Sequence, residues 1–531
     1  MASFIKMDLI SGIRKGGRLL FGLRDYLKDT VSIEESREII KSRMEGREEL
    51  FLNILKKGIY ENTRSPYLKL LKLAKFEFSD VKSMVLKVGI EETLRNLTEE
   101  GVYLTHEEFK CVKKVIRNGE ELRFDEKDFD NPYLSTYYEV ESGGTRSGGT
   151  RTMIDLDFLQ SIATYDSIAF NISDIMEYPL ALWTPILPSN LGISCLFRFA
   201  KIGKVPNRWF SQIEKEFLET SLVNKFGTNF MVYLGRFLGT NFPKPEYVGL
   251  ENSYKIADWV AQMIKEFSGC GIYTYVSSAI RVCKAAEERG LEISGARFFV
   301  GAEPITPSKR REIESVGAVC IPKYGFTEGG TVGYGCFNPS SADDTHLFKD
   351  SIAIIQHKRR IEFSDTEVDA FLFTSLLPSV PKILLNVESD DYGILEERNC
   401  DCEFGRLGFT EHLHNIRSFG KLTSEGMTFV GTDLIRIIEE ILPRKFGGSS
   451  IDYQLLEEEN GNGLTQLSIL VSPQVGKINE RELVEEFLTE LGGKKGICAE
   501  LWSQANTIKV KYMHPIPTKR GKVFPFYIKM K

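Results

Sequence analysis

Polar and apolar positions change rhythm along this chain, and the changes divide it into three stretches. From residue 31 to about 125, charged positions interleave with apolar ones, as in Arg47 to Lys57 and Tyr67 to Phe76, which predicts a mostly helical scaffold over residues 1–125. Shorter runs rich in β-branched and aromatic residues follow. Tyr133 to Val140 reads as a strand, and Met153 to Ala163 carries apolar residues at helical spacing. Arg297 to Val300, Ala318 to Ile321, Phe371 to Ser375 and Ile383 to Val387 read as buried strands separated by helices or turns. Such alternation predicts an α/β architecture. After Gly426 the pattern restarts with helix Asp433 to Ile441, strand Gln466 to Val471, helix Asn479 to Leu491 and strand Thr507 to Tyr512.

At 531 residues the chain exceeds one ordinary core. The expectation is an α/β protein with a large N-terminal domain of mixed sheets and helices, residues 1–421, and a small α+β C-terminal domain, residues 422–531. A formal net charge of -6 leaves no global basic field, so nucleic acid is not an expected partner. No run approaches the ~20 apolar residues that span a bilayer. The basic start, with Lys6, Arg14, Lys15, Arg18 and Arg24, reads as a solvated surface helix rather than a secretory signal. Nine cysteines at mostly irregular spacing then indicate reduced thiols and a cytoplasmic location.

Four segments carry candidate chemistry. Ser142-Gly143-Gly144-Thr145-Arg146-Ser147-Gly148-Gly149-Thr150-Arg151 is a pentad written twice. Its glycines let backbone N–H groups converge on an anion, its hydroxyls add donors, and its arginines bind phosphate oxygens bidentately; a plain glycine-rich loop is the alternative. Lying between a strand and a helix, it has the setting of a phosphate grip. Gly301-Ala302-Glu303-Pro304 and Tyr324-Gly325-Phe326-Thr327-Glu328-Gly329-Gly330 each follow a predicted strand, where α/β sheets bind ligands. Pro515-Ile516-Pro517-Thr518-Lys519-Arg520-Gly521-Lys522 ends a turn-rich segment with a lysine.

In that order, the four segments resemble the ANL superfamily of adenylate-forming enzymes, which includes acyl- and aryl-coenzyme A ligases, peptide-synthetase adenylation domains and firefly luciferase. The resemblance runs from about residue 130 to the C-terminus, and Tyr324 to Glu328 with Gly521-Lys522 are its most specific parts. It implies ATP-dependent activation of an aromatic or fatty carboxylic acid to acyl-AMP. Acyl transfer to coenzyme A or a phosphopantetheine carrier protein in trans would follow, with an amide-forming ligase and an inactive nucleotide-binding protein as alternatives. By resemblance, residues 142 to 151 would hold the β- and γ-phosphates, Gly301 to Pro304 and Tyr324 would enclose adenine, Thr327 would touch the α-phosphate and Glu328 would hold Mg²⁺.

Asp391, in Ser389-Asp390-Asp391-Tyr392-Gly393, would accept both ribose hydroxyls. Arg417 would meet ribose or phosphate, with Arg406 as competitor; Lys421 would mark the interdomain hinge, and Lys522 would stabilise the adenylation transition state. The acyl pocket is expected between the helix after the glycine loop, Trp183-Thr184-Pro185, and Gly329, Gly330 and Tyr334. A homodimer is compatible with this reading.

Two arginines in the glycine loop, where the superfamily usually has one terminal lysine, are the main departure. Cys400-Asp401-Cys402 ahead of Gly405-Arg406 resembles the phenylacetate-coenzyme A ligase and acyl-protein synthetase branch, in which such a turn can bind zinc. His412 and His414 would complete a Cys₂His₂ set, but Cys-x-Cys is tighter than usual zinc spacing, so reduced cysteines are the preferred reading.

Overall fold

A computed structural model describes residues 21–135, 137–141, 151–187, 189–212, 222–361, 366–424, 427–430, 433–459, 465–492 and 508–529. The scaffold is built of helices Ile33–Glu45, Arg47–Asn53, Pro66–Leu73, Phe78–Glu99 and His106–Phe109, plus a hairpin of β1 (Val115–Arg117) and β2 (Glu120–Leu122) that the helical rhythm did not predict. Ser32 starts the first helix: its hydroxyl accepts from Glu35 N, while the Glu35 carboxylate accepts from Ser32 N.

Strands β3 (Tyr137–Glu141) and β4 (Arg151–Asp155) pair antiparallel. The segment they flank therefore joins two strands of a hairpin, and helix Leu156–Ile172 begins only after the second. Residues 142–150, the predicted phosphate loop apart from Arg151, lie outside the described residues.

One twelve-stranded sheet organises the rest. Its strands are β5 (Leu180–Trp183), β6 (Arg208–Ser211), β7 (Pro245–Tyr247), β8 (Cys270–Tyr275), β9 (Ala296–Gly301), β10 (Val319–Phe326), β11 (Gly330–Gly335), β12 (Thr345–Leu347), β13 (Ile352–Arg360), β14 (Glu367–Ser375), β15 (Val387–Glu397) and β16 (Glu411–Ser418). Their spatial order is β13-β14-β15-β16-β12-β11-β10-β9-β8-β5-β6-β7. From β7 to β10 neighbours run parallel; from β10 to β13 they run antiparallel. Strand β8 is buried at all six positions, as a parallel strand covered on both faces must be. Helices Leu156–Ile172 and Leu191–Lys201 cover one face of the parallel half, and Tyr254–Phe267 and Val276–Glu288 cover the other. The N-terminal scaffold packs on the antiparallel half through Phe51, Leu71, Val85 and Leu94.

Short strands β17 (Thr423–Ser424) and β18 (Met427–Thr428) precede a four-stranded sheet. That sheet contains β19 (Tyr453–Glu459), β20 (Thr465–Val471), β21 (Lys509–Tyr512) and β22 (Phe526–Ile528) in the order β21-β20-β19-β22, covered by helix Glu480–Gly492. The predicted α/β class with mixed sheets and a small α+β C-terminal unit matches this architecture. The predicted strand Ile383 to Val387 is not one: β15 starts at Val387, and the residues before it are irregular. Their apolar side chains are core, but their backbone is held by Leu384 N on Ser375 Oγ and Asn386 N on Thr374 Oγ1 instead of by a ladder.

Candidate active site

Where the parallel half of the sheet meets the antiparallel half, a cavity of about 660 Å³ opens at the carboxyl ends of β8, β9 and β10. The β10–β11 turn carries Thr327 and Glu328 into its wall, with Gly325 and Phe326 just before them. Gly301, Ala302, Glu303 and Pro304 line it from the end of β9, Asp391 from β15, Arg417 from β16, and Lys421, Arg520 and Lys522 from the C-terminal side. Segments distant in sequence thus converge on one space.

Tyr324 and Asp391 are directly joined, the Tyr324 hydroxyl donating to Asp391 Oδ2 at 2.8 Å. The adjacent carboxylate of Asp390 is committed to structure, accepting from Ser418 Oγ and Gly420 N at 2.7 Å each. Asp390 has φ 74°, and this kink within β15 is what lets two successive aspartates do different things. Burial pushes the Asp391 carboxyl above its usual range, against the pull of Lys421, with Asp390 adding to the rise. Ser389 to Gly393 are thus part of a bulged strand.

Glu328 is buried and faces Lys110, whose Nζ lies 2.7 Å from Oε1. Burial alone would raise this carboxyl; Lys110 holds it below its usual range. Glu303 lines the cavity but gives its carboxylate to the protein. It accepts from Ser277 N at 2.7 Å, Ser277 Oγ at 2.8 Å and Val523 N at 2.8 Å, tying the end of β9 and a helix start to the loop that bears Lys522.

The Lys522 loop is closed by Thr518, whose N donates to Lys522 O at 2.8 Å and whose hydroxyl accepts from Lys522 N at 3.2 Å. Gly521, at φ 83°, allows that turn. Lys522 Nζ sits 5.6 Å from the centroid of the Tyr275 ring. Burial first, then Lys421 and Arg520, push its ammonium down to about 8, while Glu303 and Asp391 oppose the fall. Lys421 lies 5.1 Å from the Phe524 ring centroid and also faces the cavity.

Arg417 donates to Asp343 Oδ2 at 3.4 Å and to Ile416 O at 2.7 Å. Its competitor Arg406 donates to Asp401 O at 2.6 Å and is not part of the cavity wall. Arg151 lies 3.1 Å from Asp130 Oδ2 and 3.7 Å from Glu139 Oε2 and is not among the residues that line the cavity.

The inner end of the cavity is lined by Phe158, Leu159 and Ile162 from helix Leu156–Ile172. Gly330, at φ 80°, must be glycine here: a Cβ would meet Phe158 Cζ at 2.6 Å. Trp183, expected in this pocket, is fully buried in a separate core and donates to Val248 O at 3.0 Å. Arg198 and Lys323, which no motif flagged, line the pocket instead. Lys110 and His106, on the scaffold, were also illegible from pattern, since they reach the cavity only through packing across the sheet.

A cysteine cluster lies outside the cavity. Cys400 and Cys402 meet Cys336 and His346, not the predicted pair His412 and His414; the four ligand atoms all lie within 4.8 Å of one another. Cys336 Sγ is 3.3 Å from Cys400 Sγ, and Cys402 Sγ is 3.0 Å from His346 Nε2. His346 Nδ1 is 2.7 Å from Phe409 O, which turns Nε2 towards the sulfurs. His414 Nε2 instead lies 3.4 Å from Glu396, and His412 Nδ1 lies 2.7 Å from Asp344. Sequence proximity to Cys400 misled the choice; His346 stands on β12, which pairs with β16 across the sheet.

No family model and no curated protein matches the sequence. Among solved structures, the chain is similar to 2-hydroxyisobutyryl-CoA ligase in complex with 2-HIB-AMP and CoA, at 13% identity and a TM-score of 0.45, over 94% of this chain and 91% of that one. It is also similar to the amide bond synthetase McbA from Marinactinospora thermotolerans, at 11% identity and a TM-score of 0.39, over 86% and 90%. For coronafacic acid ligase from Pectobacterium brasiliense the identity is 12% and the TM-score 0.34, over 80% and 84%.

Proposed function

We propose that this protein uses ATP to activate a carboxylic acid as acyl-AMP and then passes the acyl group to a thiol. The observation that carries the reading is the joint placement of Tyr324, Asp391, Glu328 and Lys522 around one cavity at the sheet's carboxyl edge. Asp391 accepts the ribose hydroxyls, Tyr324 packs on adenine, and Arg417 meets ribose or phosphate. A carboxylate oxygen of the acid attacks the α-phosphorus, the bond to the bridging oxygen of pyrophosphate breaks, and pyrophosphate leaves with that electron pair. Lys522 and Thr327 stand by the charge that builds on the α-phosphate. The acceptor thiol of coenzyme A or of a carrier protein then attacks the acyl carbon, loses its proton and expels AMP.

Glu328 suits Mg²⁺ as a hard, buried carboxylate with one cationic partner. Glu328 would hold the ion, which would neutralise phosphate charge, and Lys110 would be released towards the phosphates. We assign residues 1–421 and 422–531 to two domains, with Lys421 at the hinge and Lys522 delivered for the first half-reaction. The protein is assigned to the cytoplasm.

Cys336, His346, Cys400 and Cys402 fit a structural zinc: three sulfurs and an oriented imidazole, three of the four residues buried. Metal analysis of purified protein is expected to find one zinc per chain, lost together with thermal stability in Cys402→Ser. The functional test is pyrophosphate exchange into ATP over a panel of carboxylic acids, repeated with coenzyme A, holo carrier proteins and amines. Acid-dependent exchange with thiol-dependent AMP release supports the reading; ATP binding without exchange on any acid overturns it.

A further inference from the structure

At the apolar end of the pocket lies a group of charges that the adenylation machinery does not use. Arg198, on helix Leu191–Lys201, and Lys323, on β10, flank Asp166 on helix Leu156–Ile172. Arg198 Nε is 3.4 Å from Asp166 Oδ2, and Lys323 Nζ is 3.6 Å from Asp166 Oδ1. Their side chains are 4%, 10% and 0% exposed, respectively.

The charges do not balance. Two cations share one carboxylate, and that carboxylate also accepts a hydrogen bond from the Tyr334 hydroxyl. Arg198 reaches Cys195 Sγ at 3.3 Å through Nη2, but Cys195 is a buried thiol whose pKa is raised by burial, so it brings no negative charge. Among the described residues, Asp166 is the one carboxylate within 4.0 Å of either cation. Among the described residues, Lys323 Nζ makes no hydrogen bond within 3.5 Å, and it faces the rings of Tyr334 at 4.9 Å and Tyr273 at 5.3 Å. Arg198 Nε and Asp166 Oδ2 also lack one. A buried cation left without a full partner is strongly destabilising unless something supplies the missing charge.

Both residues line the cavity, where a ligand supplies it once the covered Lys323 Nζ turns outward. Lys323 lies within β10, whereas Thr327 stands in the turn that follows the strand's end at Phe326. Tyr324, its neighbour, turns to the opposite face and to Asp391. Lys323 therefore faces the acyl side of the cavity, away from the carboxylate that would be activated.

The geometry points to a dicarboxylic acid as the substrate, its second carboxylate seated between Lys323 and Arg198 while the first is activated. This rests on the proposed adenylation and narrows its acid from a simple fatty or aromatic one. The second carboxylate would accept hydrogen bonds from Lys323 Nζ and the Arg198 guanidinium, turning one surplus positive charge into a balanced set. A plain monocarboxylate leaves that surplus buried beside its apolar tail, so discrimination against it follows from the protein's own unpaired charge.

The test has two readouts. Pyrophosphate exchange is measured over a series of aliphatic dicarboxylates, the matched monocarboxylates and the dicarboxylate monomethyl esters. Equilibrium binding of the same acids is measured by calorimetry, without ATP, on the wild type and on Lys323→Met. The best dicarboxylate is expected to exceed its monocarboxylate and its monoester at least about tenfold in kcat/KM, and Lys323→Met to erase that ratio, as loss of one charged hydrogen bond would. Equal or better use of the monocarboxylate overturns the inference and leaves adenylation standing. No exchange with any acid, but dicarboxylate binding that Lys323→Met weakens, overturns adenylation and keeps the subsite. Preference for the ester in either readout also overturns the inference, since it would show that no anion is held there.

Discussion

Lys522 gives the sharpest prediction because its environment fixes both a magnitude and a pH window. Its ammonium is held at about 8 instead of the ordinary 10.5, by burial and by the cations Lys421 and Arg520. At pH 7 about nine-tenths of the side chain is charged and at pH 9 about one-tenth, since each unit beyond the pKa is a tenfold change. The sign follows directly: the charged form is the working one, so activity is retained below the lowered pKa and lost above it. In ATP–pyrophosphate exchange with ATP varied at saturating acid, kcat/KM should fall on the alkaline side with an apparent pKa near 8. Saturating acid keeps Lys323, also pushed down to about 8 by burial and Arg198, from contributing to the profile. Lys522→Ala should lower exchange by roughly 10²- to 10³-fold, about 3–4 kcal/mol of transition-state stabilisation, and flatten the profile. Lys522→Arg, charged at every accessible pH, should lose the alkaline limb whatever its absolute rate. Both variants should still consume supplied acyl-AMP with thiol. Normal exchange in Lys522→Ala, or an alkaline limb that survives in Lys522→Arg, would refute the assignment.

Other expectations follow from single contacts. Asp391→Asn removes the charge that would accept the ribose hydroxyls and should raise the KM for ATP roughly 10- to 100-fold, measured by exchange at saturating acid. Glu303→Gln weakens the tie to Val523 N and should slow exchange while sparing transfer from supplied acyl-AMP; equal loss in both steps would argue against a positioning role. Asp350 is buried against Tyr165 and Arg43 and its carboxyl is pushed up to about 6 by burial. A carboxyl raised in the folded state stabilises below its unfolded pKa and ceases to do so as pH rises through about 6, a change of about 3 kcal/mol at most. Asp350→Asn should therefore flatten the fall in melting temperature between pH 4 and pH 7.

Much of this architecture can be read from the chain because local chemistry and local structure coincide at strand ends. Gly301 to Pro304 and Tyr324 to Glu328 announce themselves as breaks after apolar runs, and both line the cavity, although β10 runs on to Phe326 before the turn begins. The resemblance selects Asp391 over Asp390, and the bulge in β15 shows how the two differ physically: a positive φ turns one carboxylate to Gly420 N and leaves the other beside Tyr324. Ile383 to Val387 shows the limit of apolar runs, since buried side chains there accompany a backbone bonded by Ser375 and Thr374. Arg198, Lys323, Lys110, Cys336 and His346 were missed for a common reason. Each acquires its role from a partner on another element, and no spacing within its own segment signals that.

Oxygen transfer tests the central claim most directly. With an acid that supports exchange, labelled with ¹⁸O in its carboxylate, the adenylation account predicts one ¹⁸O in the AMP released after thiol transfer, read by mass spectrometry. Unlabelled AMP, or label appearing in orthophosphate alongside ADP, would contradict it.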